Sequence, residues 1–104
     1  MRRQVKARLG FEPQPGTLNV RLGTTEQAAF DRLKAAPGVL LEPQPGFCAA
    51  RCFPVLLEGR VKAAVVWPQV EGYPRDQLEL LAPVRLRDEL GLRDGSPITI
   101  VVPS

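Results

Sequence analysis

A chain of 104 residues and 11.4 kDa is sized for one domain with one modest core. Its 44% hydrophobic and 24% charged residues have the balance of a folded soluble protein, and the net charge of +3 is spread over interspersed basic and acidic side chains. Such a surface tolerates a phosphate ligand without demanding a nucleic acid. The sequence has no histidine, which excludes Ser/His/Asp triads, Cys/His dyads and His-based zinc sites. No stretch approaches the ~20 apolar residues of a membrane span and the N-terminus lacks a signal-peptide core, so a cytoplasmic protein is expected.

Eleven prolines and nine glycines cut the sequence into short pieces, which predicts a mainly β fold of short strands and tight turns. Arg2 to Leu9 reads as a helix with Val5 and Leu9 four apart and Gly10 as its stop. After the Pro13-Gln14-Pro15-Gly16 turn, Leu18, Val20 and Leu22 alternate with Thr17, Asn19 and Arg21, the period of a half-buried strand. Thr24 and Gln27 suggest a capping box that opens a helix to about Ala36, with Phe30 and Leu33 facing inward and Pro37-Gly38 ending it. Strands are expected around Val39 to Leu41, Phe47 to Leu57 and Arg60 to Trp67, with Glu58-Gly59 as the turn between the last two.

Pro54 is expected at an edge or bulge because it cannot donate to a ladder. Pro74 to Leu80 reads as a short helix and Leu86 to Leu92 as a short amphipathic one. Asp94-Gly95 is a turn, and Ile98 to Val102 a final strand. Glu-Pro-Gln-Pro-Gly occurs at Glu12 to Gly16 and again at Glu42 to Gly46, but the flanks do not match, which favours two independent turns over a duplication. Cys48 and Cys52 lie four apart in an apolar run and read as core or strand residues rather than metal ligands. Trp67 is expected to pack in the core, with stacking on a ligand ring as the alternative.

Two segments carry candidate chemistry. Thr17 and Asn19 project a hydroxyl and an amide oxygen from one strand face, their Cα atoms about 6–7 Å apart, a pair that suits Mg²⁺ sharing its other positions with water and phosphate. By pattern alone they also read as the polar outer face of a strand, the commoner fate. Val84-Arg85-Leu86-Arg87 leads into a short helix whose backbone and arginines could meet phosphates or the edge of a base. The alternative is a solvated helix start whose arginines pair with Asp88 or Glu89.

Taken together, these segments resemble the CTP-dependent riboflavin kinases typical of archaea. The resemblance is carried by Leu9-Gly10-Phe11-Glu12-Pro13, Pro15-Gly16-Thr17-Leu18-Asn19-Val20-Arg21-Leu22, Ala63-Ala64-Val65-Val66 and Leu78-Glu79-Leu80-Leu81-Ala82-Pro83-Val84-Arg85-Leu86-Arg87-Asp88-Glu89-Leu90, in order. Leu92-Arg93-Asp94-Gly95 followed by Ile98 and Ile100 also fits. The resemblance implies a six-stranded cradle-loop β-barrel with short helices. It also implies transfer of the γ-phosphate of CTP to riboflavin, giving FMN and CDP. Thr17 and Asn19 inherit the role of Mg²⁺ ligands, Val84, Arg85, Leu86 and Arg87 that of nucleotide contacts, and Glu71 and Glu79 that of flavin contacts. Glu79 is the candidate to orient the ribityl 5′-hydroxyl or accept its proton.

Members of that family carry, ahead of the helix placed here at Arg2 to Leu9, a further strand and a glycine-rich loop that cradles the phosphates. The residues from Met1 onward show neither. A start inside a longer reading frame is the expected explanation, since everything downstream matches; the alternative is a relative that binds flavin or nucleotide without turnover. Glu71 stands where the family often has a hydroxyl or basic residue. A rival from another class is a DNA-binding barrel of the AbrB type, whose short helix, turn and alternating strand resemble Leu86 to Ile100, although the chain is about twice the length of such a unit. Partners are expected to be riboflavin and CTP rather than a membrane or nucleic acid, with the protein a monomer.

Overall fold

In the computed structural model, residues 2–14, 17–41 and 49–102 are described. The second Glu-Pro-Gln-Pro-Gly segment, the Pro15-Gly16 step of the first, and Cys48 lie outside them. Helix α1 spans Arg2–Leu9 and stops at Gly10, whose φ of +80° and amide bond back to the Lys6 carbonyl form the expected C-terminal cap. Strand β1, Leu18–Arg21, turns Leu18 and Val20 inward and Asn19 and Arg21 outward, as the alternation predicts. Helix α2 covers Thr24–Lys34 and buries Phe30.

The proposed capping box is not formed. Gly23 is the N-cap and makes no side-chain cap bond, so Thr24 is already inside the helix. Gln27 does reach back, but its Nε2 donates to the Leu22 carbonyl at 3.3 Å.

Strand β2 is Val39–Leu41, β3 is Ala50–Leu57 and β4 is Val61–Pro68. β3 and β4 pair in one continuous antiparallel register from Ala50↔Pro68 to Leu57↔Val61. Of the three residues between them, Glu58 and Gly59 have positive φ, at 52° and 69°, and the Arg60 amide donates back to the Leu57 carbonyl at 3.0 Å to close the turn. Pro54 sits in this register opposite Ala64 without a bulge. On its other side β3 pairs with β2 at residues 50–52 and with β6 at 56–57, so the proline occupies a gap in the ladder where no donor is needed.

The segment read as a helix at Pro74 to Leu80 is instead strand β5, Gln77–Leu81. Leu78 and Leu80 are 4% and 1% exposed and alternate with half-buried Gln77 and Glu79, while neighbours on both sides, β1 and β4, satisfy the backbone. Pairing on both edges outweighs a local pattern that fits a helix equally well. Helix α3 is a single turn, Leu86–Glu89, shorter than expected because Gly91 leaves the helix with φ of +62°. Asp94-Gly95 forms its turn, and the final strand β6 contracts to Ile100–Val101.

The sheet is six-stranded, in the order β1-β5-β4-β3-β2 with β6 beside β3, and all its pairings are antiparallel. It is curled. Leu18 and Val20 from one end and Ile98 and Ile100 from the other pack against one interior cluster with Phe53, Val55, Leu57, Val65, Leu78 and Leu80. α2 adds Phe30 to that cluster. The opposite face of the sheet buries Ala50, Cys52, Ala64, Val66 and Leu81 under Leu9 and Phe11. β4 is thus apolar on both faces, which explains its nearly unbroken Val-Lys-Ala-Ala-Val-Val run.

Cys52 is fully buried, as a core residue should be, and burial pushes its thiol up to about 11. Trp67 is half-buried against the interior cluster, in keeping with core packing.

Gly38 turns α2 into β2 with φ of +60°, and a Cβ there would lie 2.7 Å from the Phe53 ring and 3.0 Å from the Cys52 carbonyl. Gly59, at φ of +69°, has nothing within 4 Å. Gly38→Ala is predicted to destabilise the fold by about 2–4 kcal/mol, combining backbone strain with overpacking, and Gly59→Ala by about 1–2 kcal/mol from strain alone. Urea denaturation of the two variants checks this; equal losses would contradict the close packing at Gly38.

Candidate functional site

The β1–β5 ladder sets Asn19 directly across from Glu79. Thr17, just ahead of β1, donates its hydroxyl to Glu79 Oε1 at 2.9 Å across 62 residues of sequence. Tyr73, from the β4–β5 connection, donates its phenol to Glu79 Oε2 at 2.8 Å, and Gln77 Nε2 reaches the same phenol oxygen at 3.4 Å. Burial first, and then the Glu79 carboxylate, push the Tyr73 hydroxyl up to about 12, so it stays protonated and donating at neutral pH. Each oxygen of Glu79 holds one donor and keeps further lone pairs for a ligand.

The β4–β5 connection that carries Tyr73 is tied to α2. Arg75 Nη2 donates to Asp31 Oδ2 at 2.8 Å, and the other Asp31 oxygen lies 3.2 Å from Lys34 Nζ. Lys34 in turn lies over the rings of Phe30 and Trp67, 4.8 and 5.1 Å from their centroids. The hydrogen bond from Lys34, followed by that from Arg75, holds the Asp31 carboxyl below its ordinary value.

Two cavities flank β1. One of about 370 Å³ is bounded by Gln14, Thr17, Leu80 and residues 84–88. A larger one of about 730 Å³ lies between β1, α2 and the chain from Leu92 to Val102; Asn19 lies on it, and its wall includes Phe30, Leu78 and Ile98. Leu18 and Arg87 border both.

Within the segment 84–87, the side chains differ in what they can offer. Leu86 is 6% exposed and serves as the anchor of α3. Arg85 and Arg87 are solvent-facing, with Arg85 3.9 Å from Asp88 and Arg87 3.0 Å from Asp94. Glu89, the other carboxylate expected to pair with them, is taken by Arg60 at 3.5 Å.

The fold therefore brings Thr17, Asn19 and Glu79 into one cluster and sets Val84, Arg85 and Arg87 around the adjoining cavity. Glu71 stands apart on an exposed turn; neither it nor Glu79 borders a cavity, Thr17 lining the smaller one and Asn19 the larger. Tyr73, Gln77 and the Arg75–Asp31 pair were not found from sequence. Tyr73 and Arg75 lie in the β4–β5 connection, where only the fold brings them to Glu79 and Asp31. Among the described residues no group of three or more His, Cys, Asp or Glu side chains could hold a metal, and no helix is long and apolar enough to cross a membrane.

The fold is thus a curled antiparallel sheet that carries an oxygen-rich cluster at its β1 edge, beside a cleft rimmed by Arg85 and Arg87. The family model of the CTP-dependent riboflavin kinases, described as "Domain of unknown function DUF120", matches residues 1–102, and the chain belongs to that family. It is 43% identical over 101 residues to a riboflavin kinase of Methanosarcina acetivorans, and 40% identical over 108 residues to one of Pyrobaculum arsenaticum. These alignments cover 93% and 97% of this chain but only 42% and 50% of those relatives, so the chain spans about half their length. A riboflavin kinase of Aeropyrum pernix is 36% identical over 100 residues, covering 92% of this chain and 76% of the relative. Family membership replaces the DNA-binding alternative.

Because Asp31 has a lowered pKa, the stability its pairs contribute is present above the ordinary carboxyl value of 3.8 and lost as pH falls through the folded value. Asp31→Asn is predicted to lower the urea midpoint at neutral pH, and the gap from the parent should close in acid. A gap that stays constant with pH would contradict the network.

Proposed function

We propose that this domain transfers the γ-phosphate of CTP to the ribityl 5′-hydroxyl of riboflavin, giving FMN and CDP, with Mg²⁺ as cofactor. The observation that carries the reading is the cluster of Thr17, Asn19 and Glu79 at the β1–β5 edge, with Thr17 on the cavity bounded by residues 84–88 and Asn19 on the larger one. The names of the family and of the relatives support the choice of donor and acceptor.

The donor set fits the cation. A hydroxyl and an amide are hard oxygens of the kind Mg²⁺ takes, and too few to displace all its water, which matches its habit of sharing positions with phosphate. The Thr17 proton is committed to Glu79, leaving the lone pairs of Oγ1 available. Thr17 and Asn19 would hold the ion, which when bound neutralises phosphate charge.

Arg85 and Arg87 are held only by exposed pairs with Asp88 and Asp94, weak enough to be exchanged for phosphate oxygens. The backbone of Val84 to Arg87, fixed by the buried Leu86, would present hydrogen-bonding groups to the nucleotide. Glu79 would orient the ribityl hydroxyl and take its proton, in a reaction whose acceleration comes chiefly from positioning and charge neutralisation. Glu71 and Glu79 are the proposed flavin contacts, and Glu79 is the better supported because it lies in the cluster.

Riboflavin phosphorylation followed by chromatography tests the reading. FMN should form with CTP and Mg²⁺. In the Thr17→Ala, Asn19→Ala double variant the rate should fall by about 100-fold or more while the thermal melt is kept. No FMN from any nucleoside triphosphate would overturn the kinase reading, and an undiminished rate in the double variant would remove the metal site.

A further inference from the structure

Glu79 is the point at which three separate chain segments meet, and its carboxylate plane is fixed only if both oxygens are held. Thr17 holds Oε1 from ahead of β1, and Tyr73 holds Oε2 from the β4–β5 connection. With one donor alone the carboxylate could still turn about its last torsion, a broad one with little intrinsic preference. The second donor removes that freedom.

The direction of the Tyr73 bond is also set. Gln77 Nε2 donates to the phenol oxygen, occupying it as an acceptor and leaving its proton for Glu79. The phenol is half-buried, whereas Thr17 is exposed and is the residue proposed to turn its lone pairs to a cation. Two residues beyond Tyr73, Arg75 fastens the same connection to Asp31 of α2. Tyr73 is thus delivered by a tethered segment and is independent of whatever Thr17 binds.

We propose that Tyr73 is a positioning residue for Glu79: its hydroxyl fixes the carboxylate plane so that an oxygen lone pair is aimed at the hydroxyl being phosphorylated. This rests on the reading of Glu79 given above. Tyr73 itself would touch neither the transferred phosphoryl group nor the reacting oxygen, and it acts only through its neighbour.

The test is a double-mutant cycle of Tyr73→Phe and Glu79→Gln, read as kcat and as KM for each substrate, alongside the side-chain carboxyl ¹³C resonance of Glu79, assigned by its loss in Glu79→Gln. Tyr73→Phe should lower kcat about 10-fold or more and leave the KM for CTP within about twofold; in the Glu79→Gln background it should change kcat by less than about twofold. Multiplying losses would overturn the proposal, because Tyr73 would then act on its own or through the fold. If Glu79→Gln itself costs no activity, the assignment of Glu79 as the reacting carboxylate fails, while the resonance still decides the positioning. A Glu79 carboxyl signal that shifts in Tyr73→Phe supports the proposal, and one that does not move overturns it.

Discussion

The site depends on one backbone pairing. β1 and β5 join in antiparallel register from Leu18↔Leu80 to Arg21↔Gln77, linking parts of the chain about sixty residues apart. Because side chains alternate across a strand, that register sends Leu18, Val20, Leu78 and Leu80 into the core and leaves Asn19 and Glu79 on the other side. A slip of one residue would exchange the two sets, burying the carboxylate and exposing two leucines that are 4% and 1% exposed. Core packing therefore fixes the geometry of the polar cluster, and the cluster needs no buried charge to hold it in place.

Polar chemistry is kept at the rim throughout. Among the described residues no charged or polar side chain is buried, and none of the buried side-chain nitrogen or oxygen atoms lacks a partner. The ion pairs are solvent-facing, the class that contributes little to stability and is readily rearranged. Arg60 shows the complementary use: from the β3–β4 turn it holds both the carboxylate and the backbone carbonyl of Glu89, pinning the single-turn helix α3.

What could be read from the sequence was what local physics decides. Gly10 after an eight-residue helix, the alternation from Leu18 to Leu22 and the Glu58-Gly59 turn each carry their signal within a few residues. Thr17 and Asn19 were visible because a strand period places them on one face, and the arginines because they flank a short helix. The helix expected at Pro74 to Leu80 gives way to strand β5 because a few residues fit either period, and only the sheet neighbours on both edges decide between them. Tyr73 on Glu79 and Arg75 on Asp31 are long-range or register-dependent contacts with no local pattern to announce them.

A crystal structure of the protein with CDP, Mg²⁺ and FMN is the most direct test. CDP phosphates are expected between Thr17 and the arginines of residues 84–87, the cation on Thr17 and Asn19, and the FMN phosphate ester within hydrogen-bonding reach of Glu79. Phosphates bound away from Thr17, or an FMN whose ribityl end lies far from Glu79, would contradict these assignments.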